Sequence, residues 1–185
     1  HIHAPTARPL NSAGSSTQGG GHVLEPVTGM HENVWVLDYK SLYPCLMRTF
    51  NIDPLNYVVS RAEHRDDIRT PTGAAFRRGD AILPNILDEL FRTRERAKLD
   101  SDEVASQAIK ILMNSFYGVL GTSGCRFHNP DIANSITGLG RHFLLLSKAW
   151  LDKGGSRVVY RDTGRAVVCS GIAASAAPRA RGYQH

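Results

Sequence analysis

Between Pro130 and the Gly154-Gly155 pair, Ile132, Ile136, Leu139, Phe143, Leu146 and Trp150 recur at spacings that alternate between four and three. That period commits the segment to one long amphipathic helix with the stripe in the core. Pro130 suits its first turn, and the glycines end it. The period then changes. Val158-Val159-Tyr160 and Ala166-Val167-Val168 are β-branched and aromatic runs on either side of a short polar turn, the pattern of a hairpin. An earlier apolar run, Val34-Trp35-Val36-Leu37, reads as a buried strand, expected to lie beside the strand at Val158–Tyr160.

Two further helical runs lie between these strands. Ile82 to Lys98 places Ile86, Leu90 and Phe91 on its expected buried face. The second run takes Asp100 as N-cap with Glu103 three residues on, close to a capping box, and passes through Gln107, Ile109 and Leu112 until Gly118 and Gly121 end it. The short link near Leu99–Ser101 makes the two helices antiparallel neighbours. The chain is therefore α+β: a few antiparallel strands backed by helices, with a two-helix insertion between Asp80 and Gly121.

The first strand delivers Asp38 to its end, where a carboxylate can face a crevice. Ser41 to Phe50 follows with Leu42, Cys45, Leu46 and Thr49 at helical spacing, so Asp38 sits at a strand–turn–helix junction. Such a junction offers free backbone N–H groups and a positive dipole end to a polyphosphate. A carboxylate for Mg²⁺ beside them is what phosphoryl transfer requires. Taken alone, an Asp after a strand is more often a turn or cap residue. Lys110, Asn114 and Tyr117 share one helix face, and a cation, an amide and a ring suit a phosphate tail, a hydrogen bond and a base. Such a stripe alone is more often a solvated surface. Arg94 and Lys98 lie one turn apart among Arg92 and Arg96, and converge with Lys110 on one triphosphate or form an exposed basic face balanced by Asp88, Glu89 and Glu95.

Three stretches in order resemble the family B DNA polymerases, and among them the bacterial branch: Val34–Pro54 (VWVLDYKSLYPCLMRTFNIDP), Leu83–Lys98 (LPNILDELFRTRERAK) and Ser106–Thr137 (SQAIKILMNSFYGVLGTSGCRFHNPDIANSIT), with weaker similarity around Gly19–Pro26. The resemblance implies a partial polymerase palm carrying a fingers helix pair. It implies that Asp38 binds the catalytic Mg²⁺ ions, that the backbone from Tyr39 to Leu42, with Ser41, holds the β- and γ-phosphates, and that Tyr43 packs under the sugar and rejects a ribose 2′-OH. Arg94, Lys98, Lys110 and Asn114 would grip the incoming triphosphate, with Tyr117 and Gly118 bordering the nascent base pair. The implied chemistry is attack of a primer 3′-OH on the α-phosphate of a dNTP between two metals. The implied partners are primer–template DNA, dNTPs and a sliding clamp reached through regions beyond this segment, in the bacterial cytoplasm at the nucleoid, with no membrane.

One motif departs from the family. The third reads Tyr160-Arg161-Asp162-Thr163-Gly164-Arg165 where the family has Tyr-Gly-Asp-Thr-Asp-Ser. Asp162 matches the first acid and is the second expected metal and catalytic carboxylate. Gly164 stands in place of the second acid, and Arg161 and Arg165 bring two cations. Mg²⁺ prefers a carboxylate-rich shell, so metal binding and turnover are expected to weaken. Three function classes follow: a polymerase segment, a catalytically impaired module that still binds DNA or dNTP, and a helical structural protein with coincidental motifs.

Composition fits a polyanion partner. Lys and Arg number 22 against 17 Asp and Glu, for a formal charge of +5. With 185 residues, 42% of them hydrophobic, the chain can bury one core and is too short for an exonuclease domain and thumb as well. Cys45, Cys125 and Cys169 form no C-x-x-C pair and read as reduced thiols; no run suits a transmembrane helix or signal peptide. The expected organisation is a linker or frayed end over 1–22, the first part of the palm over 23–79, the fingers pair over 80–121, the second part of the palm over 122–168, and an aberrant or disordered tail over 169–185.

Overall fold

The computed structural model describes residues 27–58, 65–162 and 164–170, and the expected linker and nearly all of the expected tail lie outside them. Nine elements follow in order: β1 (Val34–Asp38), α1 (Leu42–Thr49), β2 (Ile68–Arg69), β3 (Ala75–Phe76), α2 (Ile82–Leu99), α3 (Glu103–Gly121), α4 (Pro130–Lys153), β4 (Ser156–Asp162) and β5 (Arg165–Ser170). The fold is α+β. Two compact units divide it, with chain crossings after Tyr39 and within α4 after His142.

The first unit holds Lys40–His142. Leu46 and Met47 of α1, Leu87 and Phe91 of α2, Met113 and Leu120 of α3, and Ile132, Ile136 and Leu139 of α4 are buried in it, together with Ile52 and Phe76. On α2 the buried face is Pro84, Leu87 and Phe91. Ile86, expected inside, is 40% exposed. The period of α2 fits either face, and the face packed within the unit is the one carrying Leu87 and Phe91. Asp100 closes α2 as its C-cap, and Asp102 is the N-cap of α3, accepting from Ala105 N at 2.9 Å. The expected cap at Asp100 is therefore two residues early. α2 runs one residue past Lys98, and the turn needs Ser101 in the left-handed region, φ 59°.

α2 begins without a cap of its own, since Ala81 has no side-chain acceptor. Asp53 supplies one from the loop after α1. Its buried carboxylate accepts from Ile82 N and Leu83 N through Oδ2, at 2.9 and 2.7 Å, and from Leu55 N through Oδ1 at 2.8 Å. The same loop reaches the approach to α2 again: Asn51 Nδ2 donates to the carbonyls of Arg77 and Gly79, and Asn56 Nδ2 to that of Asp80. α1 then locks onto α2 through Arg48, which lies 3.2 Å from Asp88 and 4.8 Å over the Phe91 ring. Gly140 of α4 admits α1 closely, because a Cβ there would sit 3.2 Å from Tyr43 Cε1 and 3.6 Å from Leu42 Cδ2.

The second unit holds the three-stranded antiparallel sheet β1-β5-β4 and the end of α4. The hairpin forms as expected, with a register shift between Val158 and Tyr160. β1 does not lie beside β4. A two-residue turn forces β4 and β5 together, and β1 joins the other edge of β5, while Val159 O on β4 accepts from Val27 N at 2.9 Å. β1 is also not buried; Val34, Trp35, Val36 and Leu37 are all exposed. The α4 stripe is core only in its first half. Ile132, Ile136 and Leu139 are buried, whereas Leu146 and Trp150 are exposed and Leu144 turns inward instead.

Removing the Asp53 acceptor leaves three backbone donors near the core without a partner. Asp53→Ala is expected to lower stability by about 2–4 kcal/mol, read as a shift of the urea midpoint of the chain; Asp53→Asn, which keeps one acceptor oxygen, is expected to lose less.

Candidate functional site

In the second unit, β1 ends at Asp38 and β5 begins at Arg165, and the two are register partners. Arg165 is also the register partner of Asp162 at the end of β4. The two acids expected to share a metal thus terminate strands on either side of β5. The side chain of Asp162 lies outside the described residues. Arg165 Nη2 lies 3.6 Å from Asp38 Oδ2, both side chains being about 60% exposed, so the described neighbour of the Asp38 carboxylate is a guanidinium. Gly164 O accepts from Tyr39 N at 2.9 Å, which sets position 164 opposite residue 39, one step along from Asp38. Among the described residues no group of three or more His, Cys, Asp or Glu is arranged to hold a metal. The Tyr39 hydroxyl is hydrogen-bonded to Ser147 Oγ on α4. A cavity of about 430 Å³ opens beside it, lined by Leu37, Leu144, Leu146, Trp150, Leu151 and Val158 among others.

The first unit carries the remaining candidates. Ser41 adopts the left-handed conformation, φ 51° and ψ 55°, at the N-cap of α1 and makes no side-chain cap; no acid occupies the first turn of that helix. Its positive dipole end therefore favours an anion, although Pro44 in the first turn brings no N–H. Leu42 and Tyr43 begin the helix. The Tyr43 ring meets that of Tyr117 on α3, centroids 4.7 Å apart and planes at 47°. Burial raises the Tyr117 hydroxyl pKa above its ordinary value. Lys110 and Asn114, two turns and one turn before Tyr117 respectively, are exposed.

α2 meets the turn before α1 through its cations. Arg94 Nε donates to Ser106 O on α3 at 3.3 Å, and Nη1 makes a long contact of 3.5 Å with Ser41 Oγ. Lys98 Nζ donates to Glu95 Oε1 at 2.9 Å, and Lys40 Nζ reaches the same oxygen at 2.7 Å. The structure thus brings Arg94, Ser41 and Lys98 into one cluster, and adds two residues that motif reasoning passed over. Lys40 lies inside the first motif stretch, and in the sequence Glu95 stands only as one balancing charge on α2. The i, i+3 pair Glu95/Lys98 was visible in the sequence; the partner 55 positions away was not. The two lysines clasping it, Lys40 first, hold the Glu95 carboxyl down at about 2.

The model of DNA polymerase family B matches residues 6–171. The chain is 42% identical to DNA polymerase II of Escherichia coli over 146 residues, covering 78% of this chain and 19% of that protein. It is 35% identical to a DNA polymerase of Archaeoglobus fulgidus over 159 residues, covering 78% and 20%. Among solved structures, the family B DNA polymerase of the hyperthermophilic archaeon Pyrobaculum calidifontis superposes with a TM-score of 0.73 at 26% identity, over 90% of this chain and 24% of that one. The chain spans about a fifth of the length of the curated relatives it matches.

A carboxyl whose pKa is lowered on folding adds stability above its unfolded value and loses it as the pH falls through the folded one. For Glu95 that window runs from the usual 4.5 down to about 2. Side-chain NMR titration is expected to give a midpoint below the ordinary carboxylate value, and Lys40→Met is expected to move it back toward that value.

Proposed function

The chain belongs to the family B DNA polymerases, and from that premise we propose that it is a palm-and-fingers segment whose parent reaction is template-directed nucleotidyl transfer from a dNTP to a primer 3′-OH. Asp38 and Asp162 are its proposed catalytic carboxylates. Arg94, Lys98, Lys110 and Asn114 are the proposed grip on the triphosphate, with Tyr39, Ser41 and Leu42 offering the turn backbone. Tyr43 and Tyr117 are the proposed sugar and base contacts. The observation that carries this reading is the Tyr43–Tyr117 ring pair beside the uncapped start of α1, with Arg94 and Lys98 gathered at the same turn. An aromatic floor and a cationic turn at a helix start are what a nucleotide's base-and-sugar end and phosphate end respectively require. Primer–template DNA is the proposed macromolecular partner, a sliding clamp a further one through other parts of the parent protein, and the bacterial cytoplasm the proposed setting. No helix of the described residues is long and apolar enough to cross a membrane.

A second reading rests on a different observation. Mg²⁺ supplies charge neutralisation at the transferring phosphate in chemistry of this kind, but the described side chains do not fit it. Asp38 has Arg165 as its neighbour at 3.6 Å, and position 164 carries glycine. A guanidinium at that distance repels a dication. This chain is accordingly proposed to bind dNTP and DNA while turning over poorly, with Gly164, Arg161 and Arg165 as the cause.

Grafted into a related enzyme in place of its own segment, the chain is expected to extend a primer weakly. Gly164→Asp alone should recover little, and Arg161→Gly, Gly164→Asp and Arg165→Ser together roughly a thousandfold. Robust extension by the unrestored graft, abolished by Asp38→Ala, would rule out the impairment. Independently, Lys110→Ala is expected to weaken dNTP binding by about tenfold, and an unchanged affinity would remove Lys110 from the site.

A further inference from the structure

Three cations and one carboxylate meet where α2 passes the turn before α1. Lys40 and Lys98, from segments far apart in sequence, both donate to a single oxygen of Glu95, at 2.7 and 2.9 Å. Arg94 alongside spends its guanidinium on neutral acceptors, Ser106 O and Ser41 Oγ. The neighbouring start of α1 has neither a side-chain cap nor an acid in its first turn. This spot gathers positive charge, and among the described residues Glu95 is the carboxylate that pairs with both lysines. One carboxylate leaves the cluster cationic, and its ion pairs are half-exposed, with side-chain exposures of 36–59%, so each is worth little and exchanges readily.

We propose that Glu95 is a stand-in anion: its carboxylate, held between Lys40 and Lys98 beside the open start of α1, occupies the seat of a nucleotide's terminal phosphates, and a triphosphate binds by displacing it. This rests on the reading of Lys98 as a triphosphate contact and adds to it a resident competitor. A triphosphate tail offers several anionic oxygens in place of one, so it pairs with Lys40 and Lys98 together beside the positive dipole end of α1. Glu95 then swings out on α2 without breaking any backbone bond. It sets a threshold: monoanions of carboxylate strength gain nothing over the side chain already present, whereas a polyphosphate does.

The test is a titration of the full chain and its variants with a dNTP and, in parallel, with inorganic triphosphate. Glu95→Gln removes the competing charge at constant shape and is expected to tighten both ligands by about fivefold, the worth of two half-exposed ion pairs no longer broken. Glu95→Ala should change affinity in the same direction, and Lys40→Ala and Lys98→Ala should each weaken it. If Glu95→Gln and Glu95→Ala leave affinity unchanged or reduce it while Lys98→Ala weakens it, Glu95 is a latch between α2 and the turn, and the stand-in role is wrong although the nucleotide reading survives. If neither the unaltered chain nor any Glu95 variant binds either ligand, the nucleotide reading fails and the stand-in role fails with it. Tightening of inorganic triphosphate without tightening of the dNTP would overturn the claim that the seat belongs to a nucleotide.

Discussion

The buried carboxylate of Asp53 decides where α2 starts, and much of the first unit follows from that. α2 has no cap from its own residues; its first N–H groups end on an acceptor some thirty residues earlier in the chain. A helix fixed at its first turn is fixed along its length, since each residue adds 1.5 Å of rise and 100° of rotation. Arg94, Glu95 and Lys98 therefore reach the turn before α1 at a height and angle set by Asp53. Asn51 and Asn56 hold the approach segment by three further side-chain bonds to backbone carbonyls. The segment after α1 that carries Asn51, Asp53 and Asn56 is the reference frame for the charged face of α2.

Two kinds of information in the sequence behaved differently. Period and termini were legible: α4 from Pro130 to the glycines, α2 and α3 within a residue or two, and the β4–β5 hairpin all follow from local pattern, because a helix or hairpin is satisfied by its own backbone bonds. Which face of an element is covered was not. Ile86 and Leu87 are neighbours on α2, and a basic helix with few apolar residues leaves the choice to the partner that packs on it. The same holds for Leu146 and Trp150, whose spacing continues the stripe of Ile132, Ile136 and Leu139 although their burial does not. Strand order is likewise a pairing choice: β5 inserts between β1 and β4 because its hairpin partner holds one edge and leaves the other free.

The candidate site divides along the same line. Asp38, Ser41, Tyr43, Arg94, Lys98, Lys110 and Tyr117 could be named from motif and spacing, and the Tyr43–Tyr117 contact and the Arg94–Ser41 approach join members of that set. Lys40 and Glu95 could not, since neither has a distinctive local setting and their meeting spans 55 positions. The departure at Arg165 was legible as a residue type, but its seat opposite Asp38 depends on the register of a strand pair.

β1 is five residues long, apolar at four successive positions, and among the described residues hydrogen-bonded on one side, to β5. Val34 and Val36 point to one face of the sheet and Trp35 and Leu37 to the other, and all four are exposed. Such a strand carries none of the devices that keep sheet edges apart, for it has no proline, no bulge and no lysine within it. In concentrated solution it is a template on which another copy can lay the same residues. The chain by itself is therefore expected to be prone to β-rich aggregation, and a lysine at Val36, the most exposed of the four, is the smallest change that would blunt it.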